Sequence, residues 1–336
     1  MKEQVKALWK RCFDDSDGFI EMYFNLRYAD EINVAIERDG QLVSALQMIP
    51  YPMSFYHHTI PTSYISGACT HPDYRGSGIM RELLTQSFAD AQYKGILVST
   101  LIPAEEWLFG YYGKMGYAPV FRYSYKEVVA PQSLPATDIR VTQVCQYQEE
   151  VYQYLTSHLS RRPCYLQHTS EDFRVVLADL AVSDGYLFVA RQADSISGIA
   201  IGYQNGEEIL IHELLADNKE VENCLLHHIP SFARCNRMVV LSPPNDELPQ
   251  QPSGMARIIN APKLLQLYAS AFPNLELGIE LSDDQLPSNN GYYRLHSGVC
   301  THTAERPCGT FTPMSVSQLT DNVFRPQHPY MSLMLS

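Results

Sequence analysis

The 336-residue chain has no run approaching the roughly 18 consecutive apolar residues of a membrane-spanning helix. Its first residues, MKEQVKALWKRCFDDSDGF, carry neither the apolar core nor the small-residue cleavage site of a secretion signal. Both absences predict a cytoplasmic protein with no membrane partner. Basic charge is also scarce: 25 Lys and Arg stand against 37 Asp and Glu, a formal net charge of -12 spread along the chain. A nucleic-acid binder needs a basic stripe to neutralise phosphates, so no nucleic-acid partner is expected, whereas a cationic amine would be weakly attracted. The eight cysteines, at 12, 69, 145, 164, 224, 235, 300 and 308, form no Cys-x-x-Cys pair and no regular framework, which reads as reduced thiols. The neighbouring pairs His57-His58 and His227-His228 would diverge on strands, so no metal site is expected.

What is present is length enough for several cores. With 45% apolar residues, the chain predicts two or three packed domains. In the first, over 1–130, helical spacing at Val5 to Phe13 and Phe19 to Tyr28 precedes a hairpin, Ile32 to Arg38 and Leu42 to Tyr51, split by Asp39-Gly40. A strand over Tyr64 to Thr70, a turn-rich loop, a helix over Ile79 to Tyr93, a strand over Ile96 to Leu101, a helix over Glu105 to Tyr112 and a strand over Pro119 to Val129 follow. The second domain, 131–250, repeats this outline with strands at Gly185 to Arg191, Ser197 to Tyr203 and Ile209 to Leu215, a helix at Lys219 to Arg234 and a strand at Met238 to Leu241. It lacks the glycine loop, having Ala216-Asp217-Asn218-Lys219 in its place. A third, smaller domain, 251–336, follows a proline-rich linker, and its apolar end, Pro329 to Ser336, predicts a docked tail.

The chemistry concentrates at Arg75-Gly76-Ser77-Gly78. Two glycines between a strand and a helix let consecutive backbone N–H groups approach an anion at the positive end of the helix dipole, and Arg75 adds a cation for phosphate oxygens. The loop has neither the Gly-Lys-Ser/Thr of a P-loop nor the position of a dinucleotide fingerprint. A second segment, Leu108-Phe109-Gly110-Tyr111-Tyr112-Gly113-Lys114-Met115-Gly116-Tyr117, gathers three phenols, each able to donate a proton.

The run from Ile65 to Leu84 resembles the signature of the GNAT N-acetyltransferases, in which strand, loop and helix together bind acetyl-CoA. Arg75 and Gly78 match its pattern, and Met80 stands where a small residue is usual. The resemblance implies an acetyl-CoA site at Ala68, Cys69, Thr70, Arg75, Gly76, Ser77, Gly78, Ile79 and Met80, with Tyr112 as general acid. Over nearly the whole chain the similarity extends to the Eis-type (enhanced intracellular survival) enzymes. That likeness implies an α/β (α+β) GNAT fold, a mixed sheet flanked by helices, in tandem with a degenerate GNAT-like domain and a shortened sterol-carrier-like domain. It further implies N-acetylation of a primary amine on a small molecule or peptide, assembly into a homo-oligomer, and the α-carboxylate of Ser336 as base, with Glu105 or Glu106 acting through water as the alternative. A backbone N–H near Cys69 and Thr70 would stabilise the developing oxyanion. Tyr23, Phe24, Tyr28 and Trp107 are candidates for an acceptor pocket. A non-catalytic acyl-CoA sensor is the competing class.

Overall fold

The computed structural model describes residues 1–233, 235 and 237–335. Amphipathic helices α1 (Lys2–Cys12) and α2 (Asp17–Leu26) open the chain, the first burying Val5, Leu8 and Trp9 and the second Phe19, Ile20, Tyr23 and Phe24. The Ser16 hydroxyl caps α2 by accepting from the Phe19 N–H at 3.1 Å. Strands β1 (Asn33–Arg38) and β2 (Gln41–Phe55) turn at Asp39 and Gly40, whose φ values of 52° and 76° are those of the two-residue hairpin that Asp-Gly favours. Next come β3 (His58–Thr70), α3 (Ile79–Tyr93), β4 (Val98–Leu101), α4 (Glu106–Lys114) and β5 (Ala118–Val128). Helix α3 occupies the residues its periodicity predicts. Strand β3 begins six residues before the expected Tyr64, because its first half pairs with the extended end of β2 down to Phe55 and His58.

The second block contains β6 (Arg140–Gln143), α5 (Glu149–Leu159), α6 (Ser170–Val182), β7 (Gly185–Gln192), β8 (Ser195–Asn205), β9 (Glu208–Ala216), α7 (Lys219–Ala233) and β10 (Arg237–Ser242). Thr169 and Asp172 form a reciprocal capping box at α6. The expected end of α7, Arg234, lies outside the described residues, and His227 and His228 stand on this helix rather than on a strand. The remainder is β11 (Gln250–Ile258), α8 (Ala261–Ala271), β12 (Leu277–Ser282), β13 (Gly291–His296), β14 (Val299–Thr303), β15 (Thr312–Ser315) and α9 (Val316–Phe324).

Eleven strands form one mixed sheet in the order β1-β2-β3-β4-β11-β5-β10-β9-β8-β7-β6, and a four-stranded sheet follows the order β14-β13-β12-β15. The two halves of the large sheet exchange strands at its centre. Strand β5 leaves the first block to pair antiparallel with β10, while β11, which follows β10 in sequence, returns to pair antiparallel with β4. Hydrogen bonding therefore does not break at residue 250. The buried Arg257 of β11 donates to the Met115 carbonyl at 2.8 Å and to Asp283 at 2.6 Å, so one guanidinium ties the first block to the last.

In the small sheet, an open depression of about 750 Å³ is bordered by Glu276, Arg294 and His296 as well as by apolar groups. The tail is docked: Tyr330, Met331, Leu333 and Leu335 are buried, and Ser336 lies outside the described residues.

Candidate functional site

A bulge in β3 bends the strand where the site begins. Opposite Leu46 of β2 stand two residues, Gly67 and Ala68, because Ala45 pairs with Cys69 but Gln47 pairs with Ser66. Strands β3 and β4 run parallel only as far as Tyr64 and Thr100 and then diverge into a wedge. Gly67 adopts a φ of +60° in the bulge, which disfavours any side chain there.

Above the wedge, His71 caps a short helical turn, Pro72–Tyr74, by accepting from the Asp73 N–H. Arg75 Nε donates to the Thr70 carbonyl at 3.1 Å, and the Ser77 hydroxyl donates to the Tyr74 carbonyl at 2.6 Å. Gly76 and Gly78 lie at φ of 77° and 86°, and Gly78 forms the N-cap of α3 with no side chain to occupy the helix end. From Gly76 to Arg81, none of the six N–H groups finds an acceptor among the described residues. A β-carbon on Gly76 or Gly78 would meet nothing within 4 Å, so the cradle opens outward. Six free donors at a helix N-terminus, beside Arg75, fit the diphosphate of a coenzyme.

Ala68, Cys69 and Thr70 line the strand leading into this loop, and Ile79 and Met80 begin the helix leaving it. Cys69 is buried, and contact with Cys12 together with burial pushes its thiol pKa well above the usual range, so it remains a thiol at neutral pH. Cys12 behaves oppositely. A hydrogen bond with Cys69, reinforced by Arg75 and Arg11, lowers it to about 7 against the cost of its burial. Arg11 also bonds the His71 ring, which places a second cation beside the loop.

Tyr112, on the last turn of α4, is 8% exposed, and burial followed by the influence of Tyr111 pushes its pKa up to about 12. Three more buried phenols extend from it. Tyr64 is raised by burial and by Tyr51, Tyr23 and Tyr112, and Tyr51 is raised to about 12, chiefly by burial. The Tyr51 and Tyr64 rings meet edge-on at 6.3 Å, and Tyr23 donates to the Ser66 hydroxyl at 2.9 Å. Neither Tyr51 nor Tyr64 carries a sequence motif. Only the pairing of β2 with β3 sets them together.

Other expected residues fall elsewhere. Phe24 is sealed in the core, and Trp107 is 65% exposed, donating to Glu105. Glu105 and Glu106 are exposed at the start of α4, and Glu106 stands six positions before Tyr112, roughly 9 Å along the helix axis. Tyr28 is half-buried and stacks on Phe24.

His168, absent from the sequence reading, packs edge-on against Tyr51 with ring centroids 5.3 Å apart. Its Nε2 faces the Ser332 carbonyl at 2.9 Å and must donate, which leaves Nδ1 unprotonated and without a partner among the described residues. Burial lowers its pKa, so the ring is neutral at pH 7.

Residues 2–120 match the model of the acetyltransferase (GNAT) domain family. Among solved structures, the fold is similar to a GCN5-related N-acetyltransferase from Anabaena variabilis (TM-score 0.76, 18% identity, 98% of this chain and 96% of that one). A GCN5-related N-acetyltransferase from Kribbella flavida is similar at TM-score 0.74 and 18% identity, over 99% of this chain and 95% of that one. Eis1 from Mycobacterium abscessus follows at 0.69 and 14%, covering 96% and 87%. No curated protein matches the sequence. The first block is a GNAT acetyltransferase domain. The chain as a whole has the fold of the Eis-like GNAT proteins.

Proposed function

We propose that this protein transfers an acetyl group from acetyl-CoA to a primary amine on a small molecule or peptide. The observation that carries the reading is the row of six N–H groups from Gly76 to Arg81 without acceptors among the described residues, at the end of the strand where β3 and β4 diverge. Gly76, Ser77, Gly78, Ile79 and Met80 would hold the diphosphate through backbone N–H groups, with Arg75 as the counter-charge. Ala68, Cys69 and Thr70 would run alongside the pantetheine arm, as strand backbone does beside any extended partner. Acetyl-CoA supplies an activated thioester.

Tyr112 is the proton donor to the leaving sulfur. Its high pKa keeps it protonated across the physiological range, and the desolvation that raises it also makes a thiolate beside it more basic. A backbone N–H near Cys69 and Thr70 would stabilise charge developing on the carbonyl oxygen. A protonated amine cannot attack, so a base is needed. The α-carboxylate of Ser336 is the proposed base. That residue lies outside the described ones, and the burial of Leu335 in the same cluster as Tyr51 and Tyr64 supports a base arriving from the tail.

The test is calorimetry with acetyl-CoA beside CoA release with polyamines, aminoglycosides and lysine peptides, for the wild type and Gly78→Glu. Binding lost in the variant, together with amine-dependent release in the wild type, is expected. Binding without turnover on any amine would favour a sensor, and no binding would overturn the reading.

A further inference from the structure

The second block repeats the bulge as well as the strand order. Ile201 pairs with Glu213 while the adjacent Gly202 pairs with Ile211, so His212 is the extra residue in β9, as one residue is extra in β3. Strand β9 follows β10 in parallel only up to Ile211 and Val240 and then diverges, as β3 does from β4. The second block thus has a wedge of its own, with no glycine cradle above it.

That wedge holds the chain's own last residues. The Tyr330 hydroxyl donates to the carbonyl of His212, the bulged residue, at 3.3 Å. The Ser332 hydroxyl donates to Glu213, the next residue. Arg162 grips both oxygens of the buried Glu213, at 2.8 and 2.7 Å, and its guanidinium lies 4.7 Å over the Tyr330 ring. Tyr330 N–H donates to the Cys164 carbonyl at 3.0 Å, and the segment containing Cys164 continues along the outer end of β2 through the Ser54 N–H to Tyr165 carbonyl bond. His168 holds the Ser332 carbonyl. Beyond this clamp, Leu333 sits in the second block's core, whereas Leu335 has crossed into the cluster that contains Tyr23, Tyr51 and Tyr64.

We propose that the second block's wedge is a socket for the tail, and that Arg162, Glu213 and His168 are positioning residues which place residues 333–335 as a wall on the acceptor side of the first block's site. This rests on the acyl-transfer reading above. A mixed-charge clamp suits the purpose: Glu213 accepts from two partners at once, and a bidentate guanidinium fixes its direction where a point charge would leave it free to rotate.

Ser332→Ala and Glu213→Gln test the proposal without removing bulk. Hydrogen exchange at the amides of 330–335 should speed up in both while the α3 amides stay protected. Turnover should fall, on the order of 100-fold for Glu213→Gln if the wall shifts by an ångström, with acetyl-CoA affinity unchanged. In a chain stopped after Pro329, Glu213→Gln should add nothing to the loss. Unchanged exchange in both variants would overturn the socket, and full turnover after truncation would overturn the tail's part in the site. Loss of acetyl-CoA binding in the wild type would instead sink the underlying acyl-transfer reading.

Discussion

Trp9 lies across Gly67 so closely that a β-carbon on the glycine would stand 2.0 Å from the indole Cζ3. The contact joins α1 to the bulge that opens the wedge, so a packing detail and the site geometry depend on the same residue. Gly67→Ala would force both an unfavourable φ and an overpacked contact, costing about 1–3 kcal/mol. Thermal denaturation should register the loss, and Trp9→Leu in the same chain should recover part of it by vacating the space. Equal destabilisation in the single and double variants would show that backbone strain, not the indole, sets the cost.

Tyr112→Phe keeps the ring and removes the proton. Turnover should drop by roughly 10²- to 10⁴-fold, the range of a general acid, with acetyl-CoA affinity unchanged by calorimetry. Retained turnover would require another donor, and Tyr64 is the nearest in character.

Gly78→Ala should cost about 1–2 kcal/mol from the left-handed conformation alone, because its β-carbon meets no protein atom within 4 Å. Acetyl-CoA should bind more weakly, since that carbon enters the cradle. Stability and affinity can therefore be read separately, by denaturation and by titration.

Asp283 accepts from Arg257, from the Gln285 and Leu286 N–H groups and from Asn289, all without exposure. Removing its charge with Asp283→Ala should cost about 3–5 kcal/mol, because Arg257 is left buried and uncompensated. Replacing Arg257 with Met in the same chain should restore part of that. Urea unfolding measures both, and a double variant as unstable as the sum of the singles would argue against the pair acting as a unit.

Acid should weaken the fold through His168 and His212, whose pKa values burial lowers below the usual 6.5. Asp172, Arg27 and Glu213 are the charges that act on His168, and Glu213 acts on His212. Unfolded, each ring takes a proton as pH falls through 6.5, while the folded protein refuses it. Stability from this source is therefore complete above about pH 6.5 and declines below it, by at most about 1.4 kcal/mol per pH unit for each ring. His168→Gln should flatten the fall in melting temperature between pH 6.5 and 5, and an unaltered slope would remove His168 from the account.

Local pattern carried the elements and the loop. Helix α3 was legible residue for residue, since its apolar spacing is a property of the sequence itself, and Asp39-Gly40 announced its hairpin because few residue pairs tolerate two positive φ values. The unpaired N–H groups followed from two glycines before a helix.

By itself, the sequence determined the order of strands and helices in the first block, the glycine cradle over 76–78, the absence of that cradle in the second block and the apolar end that docks, but not β6, α5 and α6 of the second block. Tertiary structure alone decided that β5 and β11 change places, that Tyr51 meets both Tyr64 and His168, and that the tail reaches the second block's bulge. The reason is physical. Periodicity and turn chemistry act over a few residues, whereas pairings such as Glu213 with Ser332 or Arg257 with Asp283 join positions 119 and 26 residues apart and exist only once the sheet is built.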